Sequence, residues 1–188
     1  VTMDMGCHAF QFFRWLNGNN PVKSVYAQMS TTVHNDKTKG DDNGIIILEF
    51  ENGVTAMAEE SWTKPGGMDD RAEIHGSEGV AYADVLQGNS IQTYSNKGIG
   101  YAVEKAGNTV GWSYTMYEEN WNYGFPQEME HFVDCVKNDK EPLVTGEDGK
   151  AVMEIIFAAY ESAGTGKKVE LPFKTDAAKP YDLWKNRE

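Results

Sequence analysis

The spacing of apolar positions along this chain changes from helical to alternating and back to helical. Near the start, Phe10, Phe13 and Leu16 keep helical spacing and Asn17-Gly18 supplies a C-terminal stop, so residues 1–18 read as a helix. Residues 22–33 alternate loosely and are rich in Val, Tyr and Thr, as a strand is. Residues 34–44 are polar and turn-rich, and are expected to form a mobile loop. Residues 45–51 and 54–63 read as two strands joined at Asn52-Gly53, a strong hairpin signal. In the second of them Val54, Ala56, Ala58, Glu60 and Trp62 share one face, while Thr55, Met57, Glu59 and Ser61 share the other. Neither face is purely apolar, which suits a sheet with helices on one side and a ligand or another subunit on the other.

Residues 71–75, 79–86, 90–95 and 101–105 read as further short strands separated by Gly and Asn turns. From Pro126 the helical period returns. Met129, Phe132, Val133 and Val136 form the stripe of an amphipathic helix, and Val152, Ile155, Ile156 and Ala159 repeat it. Thr145 and Asp148 predict a capping box at the start of the second helix, Glu147 and Asp148 suit its positive end, and Gly164 or Gly166 stops it. Residues 167–173 read as a last strand, and residues 174–188 as a polar extension anchored by Pro180 and Trp184. Strands bracketed by helices, with hairpin rather than crossover links, predict an α+β domain: an open, mostly antiparallel sheet with helices on one face.

Composition narrows the function classes. The 188 residues suffice for a core, and 40% hydrophobic residues with 12% aromatics argue against disorder. A net charge of −12 disfavours nucleic-acid partners, which need clustered Lys and Arg. Every apolar run is far below the roughly 20 residues of a membrane span. Cys7 and Cys135 are too few for a disulfide framework and lack zinc spacing, so a reducing, cytoplasmic location is expected. The chain starts at Val with no signal-like segment, and is expected to be cut from something longer.

The candidate chemistry lies in the first helix. Asp4 and His8 are four residues apart, which on a helix places them on one face. A carboxylate that orients an imidazole makes a proton-transfer pair, although the same spacing also occurs where Asp merely starts a helix and His merely packs. Other motifs fail on their own terms. Glu59-Glu60 cannot cooperate, because neighbours in a strand point to opposite faces. Glu128 and His131 have di-iron spacing but occur once, whereas such sites need two copies and two more Glu. His34 stands alone in a solvated loop, so no metal ligand set is expected. Gly98-Ile99-Gly100 lacks the third glycine and the following helix of a dinucleotide fingerprint. The aromatics Trp112, Tyr114, Tyr117, Trp121 and Tyr123 suit a sugar-binding surface, a subunit interface or core packing alike.

The pattern Asp4-Met5-Gly6-Cys7-His8, followed by an aromatic-rich helix ending Trp15-Leu16-Asn17-Gly18, resembles the start of the C-terminal domain of the Gfo/Idh/MocA oxidoreductases. Three segments resemble the same family in the same order: Glu73-Ile74-His75-Gly76-Ser77-Glu78-Gly79, then residues 128–136, then Pro142-Leu143-Val144-Thr145-Gly146-Glu147-Asp148-Gly149. The tail Lys179-Pro180-Tyr181-Asp182-Leu183-Trp184 is similar to family C-termini. The resemblance implies the fold of the glucose-fructose oxidoreductase type, with residues 1–173 as a substrate-binding and oligomerisation domain and residues 174–188 as an extension. It also implies a nucleotide-binding domain that these residues lack, and Glu104-Lys105-Ala106 does not supply that domain's Glu-Lys-Pro motif. The implied reaction is NAD- or NADP-dependent oxidation of a secondary alcohol on a sugar, inositol or related polyol. His8 matches the family's catalytic His, as base or as relay to a Lys of the missing half, and Asp4 matches the Asp that orients it. The fragment alone is expected to bind no cofactor, to be inactive and to form homo-oligomers through its sheet face. Two alternatives are an NAD-dependent glycosidase of the same superfamily and a non-catalytic sugar-binding or dimerisation module.

Overall fold

A computed structural model describes residues 1–66, 68–85, 92–98, 108–114 and 119–185. The expected strand at 101–105, the Glu104-Lys105-Ala106 segment, Tyr117 and parts of the expected strands at 79–86 and 90–95 lie outside the described residues. The chain forms two compact units, one of residues 1–64 and 143–188 and one of residues 65–142.

The first unit is built on a four-stranded antiparallel sheet. Its strands are β1 (Val22–Ser30), β2 (Asn43–Phe50), β3 (Thr55–Ser61) and the short β8 (Val169–Glu170), in the order β3-β2-β1-β8. Helices α1 (Gly6–Leu16) and α4 (Gly146–Thr165) cover one face. Val25, Ala27 and Met29 of β1, Ile46, Leu48 and Phe50 of β2 and Ala58 of β3 meet Phe10 of α1 and Val152, Ile155, Ile156 and Ala159 of α4. Each large side chain buried there contributes about 1.5–3 kcal/mol relative to exposure.

The loose alternation of β1 has a local cause. Val22 pairs with Phe50 but Ser24 pairs with Glu49, so a bulge at Lys23 and Ser24 turns both side chains toward Glu49 on the sheet's other side, and the inward set passes from Val22 to Val25, Ala27 and Met29. The hairpin at Asn52-Gly53 forms as expected, with Gly53 at φ 87° and its N–H bonded to the Phe50 carbonyl at 2.9 Å. Among the described residues of this unit, no helix lies on the sheet's other face. There Tyr26, Ile47 and Met57 form one row across three strands, with Tyr26 and Met57 exposed.

Helix α4 begins with the expected capping box: Asp148 N–H donates to Thr145 Oγ1 at 3.2 Å, and Thr145 N–H donates to Asp148 Oδ2 at 2.9 Å. It ends at Gly166, whose φ of 66° favours glycine. The extension folds back onto this unit. Pro180 is buried, α5 (Asp182–Lys185) follows it, and the Trp184 ring stands edge-on to Tyr160 at 6.3 Å.

The loop expected to be mobile is instead tied down by two fully buried aspartates, Asp41 and Asp42. The Asp42 carboxylate accepts from the backbone N–H of Thr32, Val33 and His34 at 2.8–3.0 Å.

The second unit holds two ribbons, β4 (Arg71–His75) with β5 (Val80–Asp84), and β6 (Gln92–Ser95) with β7 (Gly111–Tyr114). It also holds α2 (Glu119–Asn122) and α3 (Phe125–Asn138). β7 falls where sequence reading sees only an aromatic cluster. The α3 stripe of Met129, Phe132, Val133 and Val136, read as the apolar face of an amphipathic helix, keeps 56–72% of its surface exposed. Cys135 is the buried side chain of that helix. The described strands of this unit are two-stranded ribbons, which offer too little apolar surface to cover a helix face. Among the described residues no helix is long and apolar enough to cross a membrane.

Candidate functional site around the start of the first helix

Asp4 and His8 both lie at the N-terminal end of α1, and both are exposed. The helix is shorter at its start than its sequence suggests: residues 2–5 form a turn, and regular helix begins at Gly6. Asp4 therefore belongs to the turn and His8 to the first helical turn. The two side chains share no hydrogen bond in this structure. The end they share is the positive pole of the α1 dipole, where developing negative charge is stabilised.

The turn is held by its backbone. The Val1 carbonyl accepts from Asp4 N–H at 3.0 Å and from Met5 N–H at 2.8 Å, and the Met5 carbonyl accepts from His8 N–H at 3.1 Å. Between the two candidate residues, the Cys7 thiol donates to the Asp4 carbonyl at 3.0 Å. Burial pushes the Cys7 thiol above its ordinary value, and the charges of Asp4 and Glu60 add to the effect, so Cys7 stays a neutral donor. Glu60 lies on the helix-bearing side of β3, on the face of Ala58, whereas Glu59 is exposed on the other face and is bonded to Lys64. The two glutamates face apart, as strand geometry requires.

Beneath the turn, Thr2 is fully buried and packs over Gly44 of β2. A Cβ at Gly44 would come within 2.7 Å of Thr2 Oγ1, so this approach requires glycine. The Thr2 N–H donates to Asp41 Oδ2 at 2.8 Å. Sequence reading missed Asp41, because its setting in a run of polar residues is that of a solvated loop.

The other candidates divide as follows. His34 is half-buried in the β1–β2 loop. Glu128 is exposed on α3, while the His131 ring lies 3.5 Å from the Cys135 sulfur through Nε2. Among the described residues no group of three or more His, Cys, Asp or Glu side chains is placed to hold a metal ion. Of the aromatics, Trp112 is exposed on β7 edge-on to Tyr94, at 5.5 Å, and Tyr123 stands edge-on to Phe125. The N-terminus of α4 is filled by the carboxylate of its own Asp148.

Comparison with known proteins places this geometry in a family. The chain is 26% identical over 187 residues to scyllo-inositol 2-dehydrogenase (NAD(+)) of Bacillus subtilis, covering 93% of this chain and 48% of that protein. It is 27% identical over 173 residues to myo-inositol 2-dehydrogenase of Thermotoga maritima, covering 91% and 49%. The crystal structure of GenD2 from gentamicin A biosynthesis, in complex with NAD, superimposes with a TM-score of 0.83 at 31% identity, over 92% of this chain and 48% of that one. The chain thus spans about half the length of the relatives it matches. Residues 1–171 match the Gfo/Idh/MocA model described as "Oxidoreductase family, C-terminal alpha/beta domain", and the chain belongs to that family.

Proposed function

We propose that this chain is the C-terminal, substrate-binding part of an NAD- or NADP-dependent dehydrogenase that oxidises a secondary alcohol of a sugar, inositol or related polyol. The observation that carries the reading is the placement of Asp4 and His8 together at the exposed end of α1, on a turn pinned from below. The names of the relatives support the substrate class: besides the inositol dehydrogenases, they include D-apiose and D-xylose 1-dehydrogenases.

Alcohol oxidation removes a hydride and a proton, and these residues handle the proton. The His8 imidazole accepts it from the substrate hydroxyl, directly or by relay from a Lys outside this chain. Asp4 orients the imidazole and hydrogen-bonds a neighbouring hydroxyl. The cofactor belongs to a nucleotide-binding half beyond these residues, so the isolated chain binds no dinucleotide and turns nothing over. Residues 1–173 form the substrate-binding and oligomerisation part, with residues 174–188 as an extension. The open sheet face bearing Tyr26, Ile47 and Met57 joins two copies of the chain. The two free cysteines suit a reducing cytoplasm.

The test is cofactor reduction by the chain joined to its nucleotide-binding half, screened over inositols, aldoses and sugar acids. Turnover with one polyol class is the expected result. Sugar release from aryl glycosides without net reduction would replace the reading with a glycosidase, and silence in both assays would leave a binding module.

A further inference from the structure

We infer that Asp41 is a positioning residue for the candidate site: its buried carboxylate joins Tyr160 of α4 to the Thr2 backbone and so fixes the turn that carries Asp4 into His8. The inference rests on the reading of Asp4 and His8 as the proton-handling pair.

Asp41 is 1% exposed, and a buried carboxylate persists only where its oxygens are satisfied. One oxygen accepts from the Tyr160 hydroxyl and the other from Thr2 N–H at 2.8 Å. The Val1 nitrogen donates to the Asp41 carbonyl at 2.6 Å. Burial first, and then the charge of Asp41, push the Tyr160 hydroxyl far above its ordinary value, so it remains a neutral donor.

The neighbouring Asp42 shows what Asp41 is not needed for. The Asp42 carboxylate holds the β1–β2 loop's own backbone, through the N–H groups of Thr32, Val33 and His34. The side-chain partners of Asp41 lie outside that loop, 39 and 119 residues away in sequence. From Thr2 the constraint passes straight into the site. The Val1 carbonyl holds the N–H groups of Asp4 and Met5, and the Cys7 thiol holds the Asp4 carbonyl. With Thr2 seated on Gly44 below and tethered to Asp41 at the side, the Asp4 backbone has little room to move. Without the carboxylate, Thr2 N–H and the Tyr160 hydroxyl are left without these acceptors, and the turn loses its link to α4.

Native-state NMR of this chain tests the inference with Asp41→Ala, Tyr160→Phe and, as control, Asp42→Asn. In Asp41→Ala the Thr2 amide is expected to exchange at least tenfold faster, and the Asp4 and His8 signals to shift, while His34 keeps its exchange rate. Tyr160→Phe, which keeps the carboxylate, gives a smaller change in the same direction. Asp42→Asn gives the reverse pattern, moving His34 and sparing Thr2. A general loss of stability would not separate the two ends in this way. Unchanged Thr2 exchange and unchanged Asp4 and His8 signals in folded Asp41→Ala overturn the inference, as does an unchanged Thr2 in Tyr160→Phe should Asp41→Ala not fold. With the nucleotide-binding half attached, Asp41→Ala lowers kcat at least tenfold and leaves KM for the cofactor within twofold. If no polyol is oxidised by the parent at all, the functional reading fails while the NMR result on the turn stands by itself.

Discussion

Arg14 and Asp148, 134 residues apart, form an ion pair at 3.1 Å that ties α1 to the first turn of α4. The same guanidinium donates to the Asp148 carbonyl at 3.3 Å, and the same carboxylate completes the Thr145 capping box. One side chain therefore caps a helix and docks another onto it. Asp148→Ala removes both functions and is expected to cost about 2–4 kcal/mol in urea unfolding, from a lost cap plus a stranded, mostly buried guanidinium. Arg14→Ala leaves the cap intact and is expected to cost less.

Acid should expose the same carboxylate. The Thr145 N–H, then the Thr145 hydroxyl and then Arg14 hold Asp148 below the ordinary carboxylate value of 3.8, against its burial. For Asp42, burial works to raise the value, but the N–H groups of His34, Val33 and Thr32 and the Asn43 amide outweigh it and hold the carboxyl far below 3.8. Both groups are depressed in the folded state, so the stability they contribute is present above that value and is lost as pH falls through and below it. Thermal melts should show a steep loss of stability below 3.8, and Asp42→Asn should make the acid limb shallower. An equal slope in that variant would contradict the assignment.

Ser162 ends a β-ladder from outside the sheet. β8 pairs with β1 at Ser24 and Val25, and further along the same edge of β1 the N–H of Ala27 donates to Ser162 Oγ at 2.9 Å. The hydroxyl in turn donates to the Lys167 carbonyl at 2.6 Å. Ser162→Ala leaves the Ala27 N–H buried without this partner, at an expected cost of about 1–3 kcal/mol. Faster hydrogen exchange at Ala27 in the folded protein would locate the effect.

Gly164 sets how closely the C-terminal tail can approach α4. A Cβ there would collide with the Leu183 carbonyl, whose backbone cannot give way as a flexible side chain would. Gly164→Ala should loosen residues 174–185 while α4 itself, which favours Ala, stays formed. Trypsin should then cut after Lys174 faster than in the parent chain; an unchanged rate would show that the tail tolerates the methyl group.

Legibility in the sequence followed how local the physics was. The Thr145–Asp148 box and the Asn52-Gly53 hairpin are decided within a few residues and formed as read, and of the two glycines read as the helix stop, Gly164 and Gly166, it is Gly166 that ends α4. The α4 stripe is buried because a sheet lies against it, whereas the equally regular α3 stripe stays exposed, since periodicity shows which face is apolar and not what covers it. The β1 bulge blurred its alternation by moving the inward set by one residue. Asp4 and His8 are candidates by spacing and by the family resemblance, but the turn at 2–5 and its anchor at Asp41 leave no such signal, because that bond spans 39 residues. Long-range polar contacts of this kind leave no periodic trace.

The proton chemistry assigned to His8 is tested most directly by the kinetics of His8→Ala in the chain joined to its nucleotide-binding half, with the polyol that half-reduces its cofactor pool fastest. The expected result is a loss of kcat of about 10²–10⁴-fold, the usual contribution of a general base, with cofactor affinity unchanged and a smaller loss for Asp4→Asn. A kcat within twofold of the parent for His8→Ala would contradict the account and return His8 to the role of an exposed residue at the start of a helix.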